Sequence, residues 1–169
     1  MTIYYNTDDA PYNCFSNFSR HAVELDGQYW PTVEHYFQAQ KFLGTQYAEV
    51  IRNAPSPVEA ARLGQTRELP LRRNWRHIKE GIMLKCVLHK FQTHAAIRSI
   101  LLGTGNRLIV EDWPHDYYWS CGADMSGKNR MGHTLMTVRA LLREARTRKN
   151  ALKARCERSV QGFAAFVPF

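Results

Sequence analysis

No stretch of this chain stays apolar for long. That excludes a transmembrane helix, which needs about 20 predominantly apolar residues. The opening residues, MTIYYNTDDAPYNCF, lack the charged start and apolar run of a signal peptide, so the cytoplasm is the expected location. Cysteine is sparse: Cys14, Cys86, Cys121 and Cys156 stand far apart with no C-x-x-C pair. Structural zinc needs closely spaced ligands, so four reduced thiols are expected instead. The seven histidines show no H-E-x-x-H spacing. Internal repeats and low-complexity segments are missing as well.

What remains is the composition of one ordinary domain. Its 169 residues are 44% hydrophobic and 12% aromatic, enough for a real core. The formal charge of +8 is uneven: residues 143–158 hold seven Lys/Arg against Glu144 and Glu157. Such a run is more often a solvated helix face than a nucleic-acid anchor, and the body of the chain is only mildly basic.

Local patterns point to an α+β chain, mostly α, with a few short strands. Val23 and Leu25 alternate before Asp26-Gly27, a dipeptide suited to a type I′ hairpin turn. Thr32 is placed to N-cap a helix running to about Leu43, with Glu34 in its first turn and Gly44 after its end. Ser56-Pro57-Val58-Glu59 combines a capping box with proline at the first helical position, and that helix ends near Gly64. Asn74 precedes a long helix with Trp75, Ile78, Ile82, Cys86 and His89 on one stripe, flanked by Met83 and Val87. A further helix covers roughly 93–102, NRLIVED reads as a strand with Leu108 and Val110 on one face, and residues 113–132 read as loop. HTLMTVRALLREA is a last helix with Leu135, Val138 and Leu142 inward.

The helix from Val33 carries an odd pattern. At 100° per residue, Glu34, Gln38 and Lys41 form one thin polar stripe, and Val33, Tyr36, Phe37, Ala39 and Leu43 fill the broad remainder. A surface helix has a wide polar face. This one is therefore expected to be buried, its stripe lining a polar cleft. An ordinary Glu34–Lys41 ion pair is the plainer reading, but i to i+7 is too far for direct pairing. A partly buried carboxylate suits acid/base or cation-stabilising chemistry. Asp116 is a second carboxylate in a loop that can face the same cleft.

Gly122 to Asn129 nearly spells a P-loop, but Asn129 stands where the magnesium-binding hydroxyl belongs and no buried strand precedes it. What survives is a loop with Lys128 running into a helix N-terminus, a place that suits a phosphate.

The segments FSNF (15–18), WPTVEHYFQAQKF (30–42), AARLG (60–64), LRRNW (71–75), KF (90–91), DYYW (116–119) and GKNRMGHTLMTVR (127–139) occur in this order. Together they closely resemble the YbiA-like NADAR family, over about residues 3–142. The resemblance implies residues 1–145 as the N-glycosidase domain and residues 146–169 as a basic, then apolar, extension with Phe163, Phe166 and Phe169. It implies hydrolysis of the C–N bond joining ribose 5-phosphate to the aminopyrimidine of early riboflavin intermediates, with no metal or organic cofactor and no membrane partner. Relatives in the family instead remove ADP-ribose from guanine bases, and a pocket that binds ADP-ribose or a nucleotide without cutting it is the non-enzymatic alternative. Nucleic acid is the less favoured partner.

The residues expected to act follow from the matched motifs. Glu34 is the catalytic carboxylate and Asp116 the second. Lys41 allows a Schiff-base route through the ring-opened sugar. Trp75 and Trp119 are stacking candidates for the base. Asn17, Gln38 and Asn129 belong to the matched motifs as further binding residues, and Arg62, Arg67 and Lys128 are candidates for the phosphate. Relatives often carry an aspartate two residues beyond the DYYW tryptophan; here Cys121 stands there, and Asp124 is the nearest substitute.

Overall fold

The structure, a computed structural model, describes residues 1–164, with side chains through residue 156. The hairpin forms where Asp26-Gly27 demands it. Strands β1 (Thr2–Tyr5), β2 (Val23–Leu25), β3 (Gln28–Trp30) and β4 (Leu108–Glu111) make two ribbons, with β2 and β3 antiparallel across the turn. Asp26 and Gly27 have φ of 55° and 73°, the left-handed angles of a type I′ turn. Trp30 folds back beneath it and donates from Nε1 to the Leu25 carbonyl at 3.0 Å.

The other ribbon joins the two halves of the chain. β1, too short to stand out in the sequence, pairs in parallel with β4, Ile3 opposite Ile109. The expected inward pair on β4 was Leu108 and Val110. Instead Ile109 is fully buried, Val110 is buried beside it, and Leu108 is exposed. The helical layer lies against this strand, so its packing decides the inward face; alternation alone does not.

Six α-helices supply the rest of the described fold: α1 (Val33–Ala39), α2 (Gln46–Arg52), α3 (Pro57–Leu63), α4 (Trp75–Thr93), α5 (Ala95–Gly103) and α6 (Arg130–Ala164). The fold is α+β, mostly α. Helix α1 packs against α2, α3 and α4, and every residue from Thr32 to Gln40 is buried. That explains an apolar pattern with no outer face. Thr32 caps it: its hydroxyl oxygen accepts from the His35 amide and lies 2.8 Å from His35 Nδ1. His35 Nε2 approaches the Ala54 carbonyl at 3.1 Å. A carbonyl only accepts, so Nε2 carries the proton and Nδ1 receives the Thr32 hydroxyl.

Helix α3 starts on Ser56, whose Oγ accepts from the Glu59 amide at 3.1 Å, with Pro57 in the first turn. Glu59 turns outward to Arg62 rather than completing the capping box. On α4 the buried face is Trp75, Met83, Cys86, Val87, Lys90 and Phe91. The expected stripe through Ile78, Ile82 and His89 is only half-buried, because α1 and α6 both pack on α4 and draw its buried arc toward Met83 and Val87. Asn74 precedes this helix without a side-chain cap bond. Helix α2 was not read from the sequence; it is two turns long and buries only Ala48 and Ile51.

Helix α6 buries Met131, Leu135, Val138 and Leu142 and runs on past residue 145 without a break. The segment holds Ala, Arg, Lys, Leu and Glu with no glycine or proline before Gly162, so helix propensity carries it on. Residues 144–153 are all exposed. The apolar end of the extension, with Phe163, Phe166 and Phe169, lies outside the described side chains.

Candidate active site

One face of α1 opens into a cavity of about 840 Å³. Its walls come from several places in the chain, among them Asn6 and Thr7 just after β1. Helix α1 contributes Glu34, Phe37 and Gln38; α3 and its end contribute Val58, Ala61 and Gln65; α4 contributes Met83. The loop between residues 13 and 21 supplies a polar wall that includes Asn17, Arg20 and His21. The segment leaving β4 supplies Glu111, Asp112, Trp113, Asp116, Trp119 and Ser120. The parallel β1–β4 ribbon and α1 thus bring residues from both ends of the chain to one place.

Glu34 is the centre of this arrangement. It sits in the first turn of α1, and its backbone amide donates to the Asn17 carbonyl at 3.2 Å, tying helix to loop. Its carboxylate accepts from Gln38 Nε2 at 2.6 Å. Burial pushes the Glu34 carboxyl up to about 7, against the pull of the Gln38 bond and the Lys41 charge, and the charges of Glu111 and Asp116 add to the rise. A carboxyl that titrates near neutrality can serve as base or acid there.

Three more carboxylates line the cavity, Glu111, Asp112 and Asp116. Glu111, at the end of β4, accepts from Ser120 Oγ at 2.7 Å. Burial raises its pKa, the Ser120 bond opposes the rise, and the Asp116 charge adds to it. Asp116 is held by its own loop: Oδ1 accepts from the Tyr118 and Trp119 amides, each at 2.7 Å. That brace also fixes Trp119, whose ring meets Phe37 edge-on at 5.4 Å. The cavity therefore offers a carboxylate cluster beside aromatic faces, the combination that stabilises a cationic sugar next to a flat base.

Residues 3–143 match the NADAR domain family. The chain belongs to the NADAR family. It is 50% identical over 146 residues to an N-glycosidase of Nostoc punctiforme, covering 85% of this chain and 94% of that one. It is 48% identical over 139 residues to N-glycosidase YbiA of Escherichia coli, covering 82% and 86%. The NMR structure of the E. coli protein YbiA superposes with a TM-score of 0.79 at 44% identity, covering 87% of this chain and 89% of that one. At this similarity over nearly the whole domain, this NADAR chain is an N-glycosidase, a hydrolase of N-glycosyl compounds.

The NADAR residues singled out from the sequence do not all reach the cavity. Glu34, Gln38, Asn17, Asp116 and Trp119 line it together. Lys41 does not. The α-helix tightens to a 3₁₀ turn over Gln40–Phe42, which rotates Lys41 off the stripe, and its ammonium donates to the Gly64 carbonyl at 2.7 Å. Burial lowers the Lys41 pKa, while the Glu34 charge works in the opposite direction. Trp75 is buried against Phe37, ring centroids 5.1 Å apart, as part of the core.

The three basic residues expected at the phosphate also lie outside the cavity lining. Arg62 is exposed and grips Glu59 through two bonds of 2.6 and 2.8 Å. Arg67 is exposed. Lys128 is exposed too, its ammonium 5.6 Å from the Tyr118 ring centroid. The amides that lead into α6 are already taken: those of Lys128, Arg130 and Met131 donate to the carbonyls of Tyr117, Tyr118 and Trp119. Asn129 is buried and works on the scaffold, its Oδ1 accepting from the Glu111 amide at 3.0 Å and its Nδ2 donating to the Ile109 carbonyl at 2.8 Å. Asp124, the candidate substitute for Cys121, is exposed and caps a local turn through Ser126. Glu111 was missed because it lay in a strand pattern; its one sequence signal was a carboxylate ending an apolar strand, directly before a loop rich in aromatics.

Proposed function

We propose that this N-glycosidase hydrolyses the bond between ribose 5-phosphate and the aminopyrimidine of early riboflavin intermediates, from the cytoplasm, disposing of reactive ribosylamines. The observation that carries the reading is Glu34: a buried carboxyl at about 7, with one hydrogen bond, facing a cavity that also holds Glu111 and Asp116. Breaking an N-riboside develops positive charge at the anomeric carbon. The Glu34 carboxylate faces that carbon, stabilises the charge, and takes a proton from the attacking water. Asp116 and Glu111 reinforce the negative field. Trp119 offers the face on which a pyrimidine stacks. Asn17 Oδ1, buried and without a hydrogen-bond partner among the described residues, is an acceptor for a substrate hydroxyl or exocyclic amine.

Two relatives support the pathway. The chloroplastic riboflavin biosynthesis protein PYRR of Zea mays is 38% identical over 152 residues, and the match covers 24% of that longer protein. A riboflavin biosynthesis protein of Vibrio vulnificus is 32% identical over 142 residues, 39% of its length. A NADAR unit therefore occurs within larger riboflavin biosynthesis proteins.

A second route is favoured by one observation: Lys41 is shifted toward its neutral, nucleophilic form close enough to Glu34 for their charges to interact. In that route Lys41 leaves the Gly64 carbonyl and attacks the ring-opened sugar; borohydride added during turnover then fixes the sugar to Lys41. The substrate itself is tested by offering the aminopyrimidine riboside 5-phosphate and an ADP-ribosylated guanine in parallel. Release of ribose 5-phosphate from the first, and little turnover of the second, is expected. Cleavage of the modified guanine alone would contradict the proposal.

A further inference from the structure

The carboxylates of the cavity wall come from α1 and from the end of β4 onward, whereas the loop between residues 13 and 21 holds no acidic residue and one arginine. Arg20 lines the cavity on this loop, exposed, with no carboxylate in ion-pair range among the described residues. Beneath the loop lies Lys90 of α4, almost completely buried at 1% exposure. Its ammonium donates to the Cys14 carbonyl at 2.6 Å, the Ser16 carbonyl at 2.9 Å and Ser19 Oγ at 2.6 Å. All three donors are used, and every acceptor is neutral. The hydrogen bonds are satisfied, but the ammonium has no carboxylate counter-ion among the described residues. A buried cation in that state carries a desolvation cost that a nearby anion relieves.

Burial first, and then the charges of Lys90 and His94, lowers His21 to about 4, and burial lowers Lys90 itself to about 7. Around Arg20 the loop adds neutral polar groups: Asn13 and Ser19 face the cavity, and His21 Nδ1 lies 3.1 Å from Ser19 Oγ. Asp8 and Asp9, the acidic residues before this loop, do not line the cavity.

We propose that the loop from Asn13 to His21 is the subsite for the phosphate monoester of the substrate, with Arg20 its direct partner. Lys90 is a positioning residue that holds the loop in shape through its bonds to Cys14, Ser16 and Ser19. This rests on the reading of the substrate as a 5-phosphorylated N-riboside. It orients that substrate, with the anomeric carbon toward Glu34 and the phosphate toward Arg20.

The test compares the aminopyrimidine riboside 5-phosphate with the same riboside lacking phosphate, in the full-length wild type, Arg20→Gln and Arg20→Lys. Arg20 is exposed, so these variants are expected to fold. Wild type should prefer the phosphorylated riboside in kcat/KM, and Arg20→Gln should cut that preference by about ten- to hundredfold, the worth of a charge-assisted bond. Arg20→Lys should restore part of it. Ribose 5-phosphate binding, measured by calorimetry at low salt, should weaken in parallel. An unchanged preference, or unchanged ribose 5-phosphate binding, in Arg20→Gln would overturn the subsite. If wild type cleaves neither riboside, the proposed function fails instead, and the calorimetry still decides the subsite: loss of ribose 5-phosphate binding in Arg20→Gln supports it, and retention overturns it.

Discussion

At the scale of single residues, the site turns on how closely Gln38 is held. It bridges to Glu34, and Gly64 at the end of α3 lies directly against it. A Cβ at position 64 would stand 2.8 Å from Gln38 Cβ and 2.6 Å from its Cδ, with Oε1 closer still. This glycine is needed for close approach; its φ of −68° suits any residue. Gly64→Ala should therefore displace Gln38 and cost about 1–3 kcal/mol of stability, as overpacking does. Loss of the Gln38 bond removes an interaction that lowers the Glu34 pKa, so the acid limb of kcat/KM should move to higher pH. An unmoved limb with an unchanged melting temperature would refute this. Glu34 makes its own stability prediction. Below about pH 4.5, its ordinary value, it is protonated whether folded or unfolded. Between about 4.5 and about 7 the unfolded chain ionises first, so the folded state loses stability as pH rises, by roughly 3 kcal/mol in full. Glu34→Gln should melt higher than wild type at pH 8 and with almost no difference at pH 4. Equal melting at both values would show that the buried carboxyl is not strained.

At the scale of elements, local chemistry was the legible part. Thr32, Ser56-Pro57 and Asp26-Gly27 announced two helix starts and a hairpin because each signal is satisfied within three or four residues. The all-round apolar character of α1 correctly implied burial, since only tertiary packing permits such a pattern. Elements whose existence depends on a distant partner were invisible: β1 needs β4, and α2 buries too little to leave a periodic trace. The stripe on α4 was misjudged for the same reason, as two neighbouring helices rather than one set its buried arc. The 3₁₀ turn after Ala39 moved Lys41, a rotation that no hydrophobic period encodes. Trp75, at the start of α4, belongs to this scale. Packed on Phe37 and outside the cavity lining, it should behave as core: Trp75→Ala is expected to lose about 3–5 kcal/mol by chemical denaturation. A stable variant with raised KM alone would restore Trp75 as a substrate contact.

At the scale of the whole molecule, the cavity exists because the two halves of the chain close on each other. Motif matching named Glu34, Gln38, Asn17, Asp116 and Trp119, which line one cavity, but also Arg62 and Lys128, which do not line it, because charge in a sequence carries no direction. Glu111 was lost because a strand-ending carboxylate looks like any other until β1 brings it beside α1. Among the described side chains, those beyond residue 145 add nothing to the cavity lining, and residues 146–153 are solvent-exposed. A chain ending at Ala145 should stay folded and retain turnover within about twofold, since exposed terminal segments contribute little. A folded but inactive truncation would place that segment in the site. The central claim rests on one carboxylate, and the most direct measurement is the rate of ribose 5-phosphate release from the aminopyrimidine riboside by wild type and Glu34→Gln. The substitution keeps the shape of the side chain and its bond to Gln38 while removing the charge. The account predicts a fall of about 10²–10⁴-fold in kcat in a variant that melts at or above wild type at pH 8. Turnover close to wild type in that folded variant would contradict it.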